Sequence, residues 1–146
     1  MPLLNYTTTV QVQKTVAEII AMLTGHGARA ILQEYDDHGT ITGLSFKVRV
    51  GEQELAFRLP ADWRAVLRVM EHDRRVARRF KTPDQARRVA WRILKEWIAA
   101  QMALIEVRLA TLEQVFLPYA ILADGRTVYE RLRDQRFALP PADGER

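Results

Sequence analysis

The chain has 146 residues, a formal net charge of +4, 48% apolar residues and 27% charged residues, which suit a soluble globular protein with one core. It contains no cysteine, which excludes disulfides, thiolate metal sites and cysteine nucleophiles. No apolar run approaches the ~20 residues that a membrane-spanning helix needs, and the segment Met1-Pro2-Leu3-Leu4-Asn5-Tyr6 lacks the basic and apolar regions of a secretory signal, so an intracellular protein is expected.

Residues Tyr6 to Gln13 alternate, with Tyr6, Thr8, Val10 and Val12 on one side and Thr7, Thr9, Gln11 and Gln13 on the other, which predicts a first strand. Thr15-Val16-Ala17-Glu18 has capping-box spacing; Val16, Ile19, Ile20 and Leu23 follow at helical spacing, and Gly25 and Gly27 end the helix. A second strand is expected from Ala28 to Tyr35, a turn at Asp36-Asp37-His38-Gly39, and a third strand from Thr40 to Val50. Gly51-Glu52 turns the chain into a fourth strand, Gln53 to Leu59, ended by Pro60. Leu44, Phe46, Val48 and Val50 fall on one face of the third strand, with Ser45, Lys47 and Arg49 on the other, as in an antiparallel sheet with one solvated side.

After Pro60 the period becomes helical. Trp63, Val66, Leu67 and Met70 predict a helix that fades near Arg79. Thr82-Pro83-Asp84-Gln85 is a start signal with a Thr cap, Pro at the first helical position and an acid in the first turn, for a helix running to about Leu109. Thr111-Leu112-Glu113-Gln114 opens a short helix, Asp124-Gly125 turns, and Thr127 to Arg133 forms a last helical piece. The expected fold is therefore α+β: a four-stranded, mainly antiparallel sheet in the order β-α-β-β-β, followed by a C-terminal layer of two long helices and short helical pieces. One domain is expected over 1–139, with its sheet part at about 5–60 and its helical part at about 61–133, and a flexible tail over 140–146.

Charge is unevenly spread. Between Ala61 and Lys95 lie eleven Arg or Lys and four acids, a local +7, so the remainder of the chain sums to −3. A localised positive field attracts polyanions, chiefly phosphate backbones. Arg64, Arg68, Arg74, Arg75, Arg78 and Arg79 are expected on or just after the first long helix, with Lys81 in the connection. Arg87, Arg88, Arg92 and Lys95 follow in the second; Arg88, Arg92 and Lys95 share a face at i, i+4, i+7. Lys47, Arg49 and Arg58, with Gln11, Gln13 and Tyr35, form a possible polar platform on the open sheet face. A solvated helical surface with internal ion pairs, or contact with an acidic protein, are the competing readings.

The second long helix carries two apolar stripes. Trp91, Leu94, Ile98, Met102, Ile105 and Leu109 form one, and Ala86, Val89, Ile93, Trp97, Ala100 and Leu104 the other. A helix apolar on two sides is either central in its fold or buried against another chain; self-association through the Trp91–Ile105 stripe is the expectation. His26, His38 and His72 show no metal-ligand spacing, and no Gly-rich phosphate loop or nucleophile elbow occurs. Glu18, Glu34, Asp36 and Asp37 are the only loose carboxylate candidates. No enzymatic activity, cofactor or metal is expected.

The phrases Ala28-Arg29-Ala30-Ile31 through Glu34-Tyr35, Phe57-Arg58-Leu59-Pro60, Arg88-Val89-Ala90-Trp91-Arg92-Ile93, Gln101-Met102-Ala103-Leu104-Ile105-Glu106 and Val115-Phe116-Leu117-Pro118-Tyr119 resemble a family of small proteins of unknown function from bacteriophages and other mobile elements. The resemblance runs from about Tyr6 to Leu132 and implies a phage or prophage origin and a place in the bacterial cytoplasm; it carries no functional residues. The expected function is non-enzymatic binding of nucleic acid, single-stranded and sequence-tolerant, by an oligomer. The alternative is an accessory module that docks on a host or phage enzyme through Phe116-Leu117-Pro118-Tyr119 or the long helix.

Overall fold

The structure, a computed structural model, describes residues 1–138; the tail expected over 140–146 lies outside them. Local turn chemistry builds its sheet. Gly39 (φ 77°) and Gly51 (φ 62°) take the left-handed backbone that both hairpins require. Between and beside them lie β1 (Ala28–Tyr35), β2 (Ile41–Val50) and β3 (Gln53–Arg58), antiparallel in that order. Ile31, Phe46 and Phe57 are in register across the three strands, and Leu44, Phe46, Val48 and Phe57 are buried on the same face.

Two helices cover that face. α1 (Val12–Gly25) contributes Val16, Ile19 and Leu23, and α3 (Pro83–Glu106) contributes Trp91, Leu94, Ile98 and Met102 to one continuous core. Phe46 stacks on Phe57 at 5.2 Å between centroids and meets Phe116 edge-on at 5.4 Å, so the C-terminal region closes the same core. α2 (Trp63–His72) packs along the first half of α3, where Met70, Val76 and Val89 form a second cluster with Tyr6 and Phe80 against it. Short helices α4 (Leu112–Phe116) and α5 (Val128–Asp134) each open on a reciprocal capping box, at Thr111 and Thr127. Between them Ile121 donates its backbone N–H to the Ala56 carbonyl at 2.8 Å, beside β3.

The sheet has three strands, not the four expected. Residues Tyr6 to Gln13 form a turn and an extended entry, and α1 begins at Val12 with Gln11 as its cap. The alternation there is used differently: Tyr6 packs edge-on against Phe80 at 5.6 Å, and the carbonyls of Tyr6 and Thr8 accept from the Gln85 amide. Thr15, read as a cap, sits inside the helix, fully buried, with its hydroxyl directed back to the Gln11 carbonyl at 3.4 Å.

Among the described residues the C-terminal layer has one long helix, α3, and not the expected pair. α2 is ten residues and stops at His72; Asp73 turns the chain and Arg75 bonds back to it. The break inserts Val76, 2% exposed, into the second cluster, and a 3₁₀ turn at Arg78–Phe80 then brings Phe80 onto Tyr6. Continuing the helix would have kept Val76 and Phe80 together but turned both roughly 80–120° around its axis from Met70, away from the cluster they join.

Candidate nucleic-acid interface

The first turn of α3 is built as its sequence reads: Thr82 accepts from the Gln85 N–H at 3.2 Å, and Pro83 occupies the position where a missing N–H costs nothing. From there the fold sorts the cations into engaged and free.

Arg92 and Lys95 reach across to Glu18 on α1, at 2.8 and 3.6 Å. Burial pushes the Glu18 carboxyl up, but the Arg92 hydrogen bond and the charges of Arg92, Lys95 and Lys14 outweigh it and hold the group below the usual range. Arg88 gives its Nε–H to Gln85 Oε1 at 2.9 Å. Arg87 pairs with Asp84 at 2.9 Å and lies over the Trp63 ring at 4.4 Å. Arg75 forms a two-point pair with Asp73, whose carboxyl is drawn down to about 2 by the Arg75 guanidinium and backbone N–H.

Arg64, Arg68, Arg74, Arg78, Arg79 and Lys81 have no carboxylate partner among the described residues. The five arginines are exposed, and Lys81 is half-buried with its Nζ at 3.4 Å from the Glu71 carbonyl, which ties the connection to the end of α2. Arg64 and Arg68 share the outer face of α2 at i, i+4. From Arg64 to Lys81 seven cations stand against Glu71 and Asp73, a local charge of +5. The part of the basic segment without carboxylate partners thus contracts to the outer face of α2 and the connection that follows, while Arg92 and Lys95 of α3 tie that helix to α1.

The sheet platform is not assembled as expected. Lys47 pairs in register with Ala56 and stays exposed, but Arg49 donates to the Gly51 carbonyl at 3.2 Å and Arg58 to the Gly125 carbonyl at 3.3 Å, with Glu130 at 3.9 Å. Gln11 and Gln13 belong to the start of α1, away from that face. They meet Tyr35 elsewhere, in a groove of about 560 Å³ between α1, the β1–β2 turn and the first turns of α3, where Gln33, Arg87 and Arg88 join them. Sequence reading missed this grouping because it joins three segments, of which the α3 one lies more than forty positions from the other two.

The oligomer stripe is consumed by the fold. Trp91, Leu94, Ile98 and Met102 are between 0% and 5% exposed within a single chain, and Ile105 packs partly buried against the same core. α3 is flanked by α1 and α2, which cover the Trp91–Met102 stripe and the first half of the other, whereas Ala100 and Leu104 at the end of that second stripe are exposed. Three of the exposed large apolar side chains, Leu104, Val107 and Leu109, lie at or just past its end.

The carboxylate candidates do not assemble: Glu18 is held by α3, and Asp36 accepts from the His38 and Thr40 N–H groups at 2.9 Å within its turn. No group of three or more metal-ligating side chains occurs among the described residues, and none of their helices is long and apolar enough to cross a membrane. Compared with models of protein families, with curated proteins and with solved structures, the chain matches none.

Proposed function

We propose that this protein binds nucleic acid through the phosphate backbone, with little sequence preference and a preference for single strands. The observation that carries the reading is the set of six cations without a carboxylate partner, Arg64, Arg68, Arg74, Arg78, Arg79 and Lys81, gathered on one face and one connection, while Arg92 and Lys95 share the Glu18 carboxylate of α1. Cations of this kind position a strand by its phosphates and carry no sequence information themselves. Service in phage or prophage DNA metabolism belongs to the same proposal.

Fluorescence polarisation with labelled single-stranded and duplex oligonucleotides at two salt concentrations tests it. Binding at low salt that weakens sharply at high salt supports the reading. Absence of binding at low salt, or an affinity indifferent to salt, overturns it; tighter binding to duplex overturns the strand preference alone.

A second reading has its own observation. Val107, Leu109 and Leu117 are 64%, 75% and 54% exposed, which offers an apolar surface to a protein partner beyond the end of α3. Phe116 is fully buried and Tyr119 packs on Trp97 at 5.5 Å, so in this segment Leu117 and Pro118 are the side chains that a partner would meet. Replacing Leu109 and Leu117 with serine leaves oligonucleotide affinity unchanged under the first reading and abolishes partner capture under the second.

A further inference from the structure

The groove between α1, the β1–β2 turn and α3 combines three chemistries that the basic connection lacks. Its floor is apolar, with Val12, Val16 and Ile20 from α1 facing Ile41 from β2. Its wall carries the amides of Gln13 and Gln33, each with donors and an acceptor, and the ring of Tyr35, 56% exposed. At the α3 side stand two guanidiniums. Asp84, already bonded to Arg87, is the one carboxylate among the lining residues.

Arg88 is held in place from behind. The Tyr6 and Thr8 carbonyls take both amide hydrogens of Gln85, at 2.8 and 3.0 Å, and the Gln85 oxygen takes the Arg88 Nε–H at 2.9 Å. Gln85 is 5% exposed, so a buried side chain is spent on orienting a guanidinium. The four terminal N–H groups of Arg88 have no partner among the described residues. The Tyr35 hydroxyl donates to Gln33 Oε1 at 2.7 Å, which fixes the ring and leaves the Gln33 amide hydrogens as donors.

We propose that this groove is a binding site for a single nucleoside phosphate. The phosphate meets Arg87 and Arg88, where planar forks match its oxygens. The base lies on the apolar floor beside Tyr35, and its edge meets the Gln13 amide, with donors and an acceptor, and the amide hydrogens of Gln33. A volume of about 560 Å³ is within the range of small-ligand sites. The nucleotide is either free or one unit of a strand, and the chemistry recognised is the same. This site goes beyond the backbone reading and fails separately from it, because the connection cations do not line the groove.

The test is a titration of the isotopically labelled full chain, followed by NMR, with adenosine monophosphate, inorganic phosphate and a short single-stranded oligonucleotide. The monophosphate should move the backbone signals of Gln13, Tyr35, Thr40 and Arg88. Tyr35→Ala and Gln33→Ala, both at exposed positions, should weaken it, the tyrosine change by about tenfold for the lost stacking. Arg88→Gln should do the same, and unchanged signals from the core residues would show that the fold survives. Replacing Arg74, Arg78 and Arg79 with alanine should leave the monophosphate affinity unchanged.

Displacement of the monophosphate by the oligonucleotide would mark the natural ligand as a unit of a strand, and failure to displace it would mark a free nucleotide; either supports the site. The proposal is overturned if millimolar monophosphate leaves the groove signals in place, if inorganic phosphate moves them as far at equal concentration, or if Tyr35→Ala has no effect.

Discussion

Replacing Ile98 with alanine should destabilise the protein by about 3–4 kcal/mol and leave its mass in solution unchanged. Ile98 is 0% exposed and sits between Leu94 and Met102, 5% and 3% exposed, in the cluster that joins α3 to α1 and the sheet. The substitution removes three carbons, worth about 2.4 kcal/mol at ~0.8 kcal/mol per buried methylene, and the remainder comes from a cavity that its close-packed neighbours fill only in part. Trp91 and Trp97, on the same helix, report unfolding by fluorescence. With a urea slope of about 1.5 kcal/mol/M the midpoint should fall by roughly 2 M. A loss below about 1 kcal/mol, accompanied by a drop in mass by light scattering, would refute the placement and restore Ile98 to an interface between chains.

Gln85→Leu should cost about 1–3 kcal/mol, because the Tyr6 and Thr8 carbonyls and the Arg88 Nε–H lose their partner together; urea unfolding measures it. Hydrogen exchange should quicken in the N-terminal segment that Gln85 holds. His26 places Nδ1 2.8 Å from the Met22 carbonyl and Nε2 2.9 Å from Glu106, and these two acceptors raise its pKa above 6.5. Its protonated form therefore stabilises the fold fully below 6.5, and that stabilisation is lost as pH rises through the folded value. Unfolding measured between about pH 5.5 and pH 8.5 should show stability falling across that window, and His26→Gln should flatten the fall.

The hairpins were readable because their signals are local: Gly39 and Gly51 supply the positive φ of the turns, and Leu44, Phe46 and Val48 alternate onto the buried face. The start of α3 was readable for the same reason, since Thr82 and Pro83 act within one turn. The failures share a different cause. The alternation from Tyr6 to Gln13 resembles a strand, but the partner of its backbone is Gln85, seventy-nine positions from Tyr6, and no local pattern specifies that bond.

The end of α2 was set by Val76 and Phe80 entering a cluster with Met70 and Tyr6, again a matter of tertiary packing. The apolar stripes of α3 are covered as far as Met102 on one side and Trp97 on the other, while Ala100, Leu104 and Leu109 stay exposed; how far each is covered depends on where α1 and α2 pack. For the candidate site, the sequence showed where cations concentrate and could not show which ones are neutralised. Glu18, seventy-four positions from Arg92, is the residue that decides it for the α3 face. The groove was invisible as a unit, although Gln11, Gln13 and Tyr35 had each drawn notice as polar side chains near a sheet.

The salt dependence of binding to a labelled single-stranded oligonucleotide tests the central claim most directly, measured for the wild type, for the Arg74, Arg78 and Arg79 to alanine variant, and for an Arg92 and Lys95 to alanine variant. Six cations without a carboxylate partner predict a slope of log affinity against log salt of about −4, which the first variant should reduce in magnitude by about 2 and the second should leave unchanged. An unchanged slope in the first variant, or an equal reduction in the second, would contradict the assignment of binding to the α2–α3 connection.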